Sequence, residues 1–298
     1  MFPENAKMVF CIGAQKSGTT WLFHALGQSK DIHFSPNKEL HYFDVMAGKA
    51  QQVLDLRITA ATTLAGRLVA KPGPQNSATL KHLAELTSLL SIYTGARNDH
   101  QAYLSYLLNG YTGQKRVCDI TPAYAILDRH TFREMGGIGH AQFLFILRDP
   151  VERLWSQIRM AVSTSNKEGA AFQEACEARG RLLLDSGRIP KIERADYKRT
   201  MTELEAAIPS SRIKYLFYDT LFQQSTMISL CGFLGIPPLP THPKQRSNVG
   251  QTAHLPDDLR TAFRAALDPQ YCFVRERFGA DIPAAWDTAK TVRTCADQ

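Results

Sequence analysis

The sequence contains no Cys-x-x-Cys pair, and its six cysteines (Cys11, Cys118, Cys176, Cys231, Cys272 and Cys295) lie far apart. Such spacing indicates neither a zinc site nor a disulfide framework, so reduced thiols are expected. No run of five or more basic residues occurs, which argues against a nucleic-acid arm or a polybasic membrane patch. No apolar run approaches the length that spans a bilayer, so no stable membrane insertion is expected. The opening MFPENAKMVFCIGAQKSG has no charged start, long apolar stretch or small-residue cleavage site of the secretory kind. A cytoplasmic location is the default expectation. Internal repeats and low-complexity segments are absent as well.

What is present describes an ordinary globular chain. Its 298 residues are 44% hydrophobic and 21% charged, enough to bury a sizeable core as one large domain or two small ones. A net charge of +7 favours anionic ligands without choosing among them.

Four apolar runs read as buried strands: Met8 to Gly13, Arg116 to Ile120, Gln142 to Leu147 and Ile213 to Tyr218. Helical patterns follow at Gly18 to Gln28, at Pro150 to Ser163 and at Leu221 to Leu234, the last with Leu221, Ile228, Leu230 and Leu234 on its apolar face. Alternation of this kind predicts an α/β fold, a mainly parallel central sheet covered by helices on both faces. Ligands of such sheets bind beyond the carboxyl ends of the strands. Between Val45 and His100 the texture becomes helical, with Leu83, Leu86 and Leu90 at helical spacing after the turn-rich Lys71 to Ser77. The expected organisation is one domain over 1–298 with a helical insertion at about 45–100 and a loosely ordered tail after Trp286.

Two segments carry anion chemistry. Gly13-Ala-Gln-Lys-Ser-Gly-Thr-Thr-Trp-Leu22 follows a strand and opens a helix, an arrangement that aims free backbone N–H groups at a phosphate. Gly18 allows close backbone approach, Lys16 brings a movable charge, and Ser17, Thr19 and Thr20 offer hydroxyl donors. A Walker loop places lysine directly after its second glycine, with the magnesium-holding hydroxyl next to it; here the lysine precedes Gly18. In Phe145-Ile-Leu-Arg-Asp-Pro-Val-Glu-Arg-Leu-Trp-Ser156, Arg148 ends a strand and Ser156 falls about two turns into the next helix.

These two motifs resemble the 5′-phosphosulfate loop and the 3′-phosphate motif of the sulfotransferases that use 3′-phosphoadenosine 5′-phosphosulfate (PAPS). The resemblance implies PAPS as sulfonate donor, PAP as product and no metal, with Arg148 and Ser156 on the 3′-phosphate. Pro36-Asn-Lys-Glu-Leu-His-Tyr-Phe-Asp44 resembles the Lys-Glu-x-His-Phe-Phe-Asp motif of the glycan O-sulfotransferase branch. It implies Glu39 as catalytic base and His41 as its accompanying histidine, with Lys16 at the departing oxygen. The Cys118 to Tyr124 segment departs from that branch, which often carries lysine where this chain has Ile120; Pro122 and Tyr124 are read as cleft wall. Tyr197 and Tyr215 to Asp219 fit the order of the family's later elements. Lys244 and Arg246, with Gly250 as a bend, stand where the family places a basic loop over the 3′-phosphate.

The resemblance runs from Met8 to about Gly279 and leaves the insertion unexplained; a cap over the acceptor site is the preferred role, oligomerisation the other. The acceptor is a hydroxyl or amine on a small molecule, lipid or glycan, with no nucleic-acid partner expected and a homo-oligomer left open. An ATP-dependent phosphotransferase and a non-catalytic PAP-binding module are the alternatives.

Overall fold

A computed structural model describes residues 1–71, 73–165, 167–241 and 250–286. The expectations placed on Lys244, Arg246 and the tail after Trp286 lie outside the described residues. Five strands form one sheet: β1 (Lys7–Gly13), β2 (Ile32–Phe34), β3 (Arg116–Ile120), β4 (Gln142–Leu147) and β5 (Ile213–Phe217). Their order is β2-β3-β1-β4-β5, and every neighbouring pair is parallel. The strand missing from the sequence reading is β2. It is three residues long, too short to show an alternation, and it adds itself to the β3 edge.

The helices among the described residues are α1 (Thr19–Leu26), α2 (Tyr42–Met46), α3 (Gln51–Ala70), α4 (Ser77–Leu90), α5 (Gln101–Leu107), α6 (Arg129–Gly137), α7 (Pro150–Val162), α8 (Gly169–Asp185), α9 (Tyr197–Glu205), α10 (Gln224–Leu234), α11 (Asp257–Ala266) and α12 (Asp268–Phe278). Alternation along each strand divides the core into two layers. Met8, Phe10 and Ile12 of β1 join Phe143 and Phe145 of β4 beneath α5 to α9, α11 and α12. Val9 and Cys11, with Leu144 and Ile146, face Leu22 and Leu26 of α1 and Leu230 and Leu234 of α10.

Some details differ from the pattern reading. Ile228 is half exposed rather than on the buried face of α10, where Met227 and Cys231 take its place. Leu221 is buried but precedes the helix, which starts at Gln224. The stretch between Val45 and His100 carries α3 and α4, which pack chiefly on each other. Ile120 faces the layer under α1 and α10 and is buried there.

Candidate active site

The C-terminal ends of β1 and β4 are adjacent, so the loop after β1 and the start of α7 meet beyond the sheet. The loop after β1 turns twice into the left-handed region, at Lys16 (φ 72°) and Gly18 (φ 86°), before α1 begins. Glycine is required at the second turn. A Cβ there would stand 2.9 Å from Leu221 Cδ2 and 3.2 Å from the Tyr218 ring. Arg148 stands where β4 gives way to α7, and its Nη1 donates to the Lys16 carbonyl at 2.8 Å while its guanidinium lies 4.6 Å from the Tyr218 ring centroid. Asp149 caps α7 by accepting from the N–H groups of Val151 and Glu152 at 2.9 and 3.0 Å, and Pro150 suits the first turn. That start fixes the helix phase which brings Ser156 round to the cleft.

The resulting cleft has a volume of about 290 Å³. Lys16, Gly18, Thr19, Thr20, Glu39, Arg148 and Ser156 all line it, as does Pro122. The chain therefore gathers residues more than a hundred positions apart. Ser17 and His41 are not part of the wall: Ser17 is fully buried with its Oγ unpartnered, and His41 stands behind Glu39. Trp21, Tyr218 and Phe222 form an aromatic side, Phe222 making edge contacts with the other two at 4.9 and 5.2 Å.

Charge in the cleft is lopsided. Lys16 is pulled below its ordinary value, first by burial and then by the like charges of Arg148 and Arg159. Arg153, on α7, is 0% exposed; one nitrogen donates to Gln157 Oε1 at 3.0 Å, while Nε and Nη2 have no partner. Nε of Arg159 is likewise buried and unpartnered. A buried guanidinium without a counter-ion is costly, and cations gathered like this favour an anion among them. Arg153 and Arg159 were not singled out from the sequence, though both belong to the helix that carries Ser156, and Arg159 follows it at the i+3 spacing that shares a face.

Glu39 is the carboxylate of the wall. Its Oε1 lies 2.5 Å from Lys38 Nζ and its Oε2 3.6 Å from His41 Nε2, while His41 Nδ1 is 2.7 Å from Asp44 Oδ2. Burial alone would raise Glu39, but the neighbouring His41 imidazolium and Lys38 ammonium outweigh it and hold it at about 2. Burial likewise works against a charge on His41, yet the two carboxylates raise it from 6.5 to about 9. The arrangement is an ionised Glu39, a protonated His41 and Asp44 behind it. Because its folded value is the higher one, the stabilisation from charged His41 is complete below 6.5 and is lost as pH rises through about 9. Turnover is accordingly expected to stay level from about pH 5 to 8 and to fall above about 9, as measured by a pH–rate profile; a descending limb centred near 6.5 would show that His41 is not held charged.

Below this segment Asp119, fully buried on β3, accepts from Thr121 at 2.6 Å and from Tyr103 and Tyr124 at 2.9 Å each. Burial outweighs these three donors and raises its carboxyl to about 6. Tyr124 is thus a fully buried support under the cleft rather than its wall, and Tyr197 donates to the Arg148 carbonyl at 2.7 Å. Among the described residues no group of three or more His, Cys, Asp or Glu side chains is placed to hold a metal ion, and no helix is long and apolar enough to cross a membrane.

None of the curated proteins matches the chain. Among solved structures, a sulfotransferase from Alicyclobacillus acidocaldarius superposes with a TM-score of 0.60 at 18% identity, over 94% of this chain and 98% of that one, a likeness of fold. The sulfotransferase domain of the Synechococcus PCC 7002 olefin synthase matches with a TM-score of 0.46 at 17% identity, covering 93% and 95% of the two chains. The sulfotransferase domain of the curacin biosynthetic pathway gives 0.47 at 14% identity, over 89% and 96%. The sulfotransferase family profile matches residues 8–240. That match takes in most of the chain and every residue lining the cleft, from Gln15 to Phe222, and the protein belongs to the sulfotransferase family.

Proposed function

We propose that the protein transfers a sulfonate group from PAPS to a hydroxyl, or an amine, of an acceptor, releasing PAP. The observation that carries this reading is the cleft itself: one carboxylate, Glu39, faces a wall of cations drawn from the loop after β1 and from the start of α7. The residues fit the donor. Lys16, Arg148 and Arg159 are clustered like charges that an anion would relieve, Ser156 adds a hydroxyl, and Trp21, Tyr218 and Phe222 offer apolar surface to a base. PAPS supplies an activated sulfonate on a phosphate leaving group.

In the transfer the acceptor oxygen bonds to sulfur as the bond from sulfur to the bridging phosphate oxygen breaks. The acceptor proton passes to Glu39, and Lys16 faces the charge that collects on the departing phosphate. His41, held by Asp44, keeps Glu39 ionised and oriented. Lys38 lies on the other side of the same carboxylate and competes for its lone pairs, so an acceptor hydroxyl has to displace or share that contact.

The test is transfer of labelled sulfonate from PAPS to a panel of glycans, lipids, phenols and small amines, together with PAP calorimetry with and without magnesium. PAP is expected to bind and to raise the melting temperature equally in the presence of EDTA. Absence of both PAP binding and any thermal shift would end this reading, whereas binding that requires magnesium and favours ATP would support a phosphotransferase instead.

A further inference from the structure

The 20 residues of α3 include no buried side chain, and α4 contributes only Leu89 to the core. A hairpin that buries so little adds little to stability. Among the described residues, its polar contacts with the rest of the chain converge on one place, the backbone of the Glu39 segment. Arg57 of α3 donates Nη2 to the Glu39 carbonyl and Nη1 to the Leu40 carbonyl, each at 2.8 Å. Its Nη1 also donates to the hydroxyl of Tyr93, in the single 3₁₀ turn that ends α4. That hydroxyl in turn donates to the Leu40 carbonyl at 2.9 Å.

The opposite side of the segment is held from the sheet. Thr121 Oγ1 accepts from the Leu40 N–H at 3.0 Å and the Tyr124 hydroxyl accepts from the Tyr42 N–H at 3.1 Å, and both hydroxyls donate to Asp119. Residues 39–41 have no regular secondary structure, and His41 sits in the left-handed region at φ 54°. A guanidinium bridging two successive carbonyls fixes the peptide planes that set this turn. The turn is what places Glu39 Oε2 3.6 Å from His41 Nε2.

We infer that Arg57, seconded by Tyr93, is the positioning residue for Glu39, and that the helical hairpin serves catalysis by clamping the carbonyl side of that loop. The inference rests on the reading of Glu39 as base. The clamp itself can be tested without an acceptor, by following the imidazole of His41 in the full-length protein by NMR, assigned through its loss in His41→Gln. The charged groups around that ring are Glu39 and Asp44 in contact, Asp119 beneath and Lys38 beyond Glu39.

In Arg57→Ala the Glu39 carboxylate is released while Asp44 stays, so the His41 midpoint is expected to drop from about 9 by about one unit. Arg57→Lys, which can satisfy one carbonyl only, should fall between Arg57→Ala and the native protein. Tyr93→Phe, which leaves both guanidinium bonds, should shift it least. PAP affinity, read by calorimetry, should stay within about twofold in all three, since no contact of Arg57 reaches the cation wall. With an acceptor in hand, kcat should fall and the donor KM should not. A native midpoint in Arg57→Ala overturns the inference, as does a loss of PAP affinity in folded Arg57→Lys. If Arg57→Ala does not fold, unchanged His41 titration in both Arg57→Lys and Tyr93→Phe overturns it. Failure of the native protein to bind PAP refutes the proposed function alone and leaves the clamp to be judged by the titration.

Discussion

Glu39→Gln is expected to lower sulfonate transfer by about 100-fold or more, the usual worth of a general base, while PAP binds as tightly as before. The amide keeps the shape of the side chain but cannot take a proton. Its neighbours limit the collateral damage. The backbone at residue 39 is held by Arg57 rather than by the carboxylate, and the side chain is 42% exposed, so no core packing is lost. The same substitution removes one of the two carboxylates that raise His41, so the imidazole should titrate below about 9. A variant that turns over normally would remove Glu39 from the chemistry and turn attention to the other acids near His41. A variant that also loses PAP would mean that Glu39 shapes the donor site.

Arg148→Ala should weaken PAP binding by about 100-fold, since it removes a charged fork that meets the anion and also braces the loop. The brace is the bond from Nη1 to the Lys16 carbonyl, at a residue already in the left-handed region. Loss of that bond frees the turn that aims Lys16 at the cleft. Arg148→Lys should restore little, because one ammonium cannot reach the Lys16 carbonyl and a phosphate together while keeping the contact that the guanidinium makes 4.6 Å over the Tyr218 ring. Calorimetry with PAP on the two variants reads this directly. Equal recovery by lysine would show that charge alone matters there.

Much of this was legible in the sequence because it depends on local signals. Apolar runs marked β1, β3, β4 and β5, whereas β2 has too few residues to carry a period. Lys16, Glu39, Arg148 and Ser156 were readable as motif positions, and the parallel order of β1 and β4 explains why their loops converge. Arg57 was not readable. Its partners in the Glu39 segment are backbone carbonyls, which every residue possesses, so no pairing of residue types betrays the contact. Ser17 shows the converse limit: its hydroxyl suits a phosphate, but the loop turns it inward. Asp119 is legible only in part: Thr121 and Tyr124 follow it within five residues, but its third donor, Tyr103, comes from α5 and is brought to it by the fold.

Arg153, with two guanidinium nitrogens lacking a partner, bears on the kinetics of the cycle. It is fully buried on α7 with Arg148 and Arg194 as its charged neighbours, all of one sign. The proposed reaction removes a sulfonate and leaves both phosphates of the nucleotide where they were. Whatever attraction draws the donor in therefore still acts on the product. Departure of PAP re-exposes the whole set of like charges to one another, and the chemical step does nothing to ease it. In the proposed reaction the escape of the spent nucleotide is therefore expected to be the slow event of each cycle.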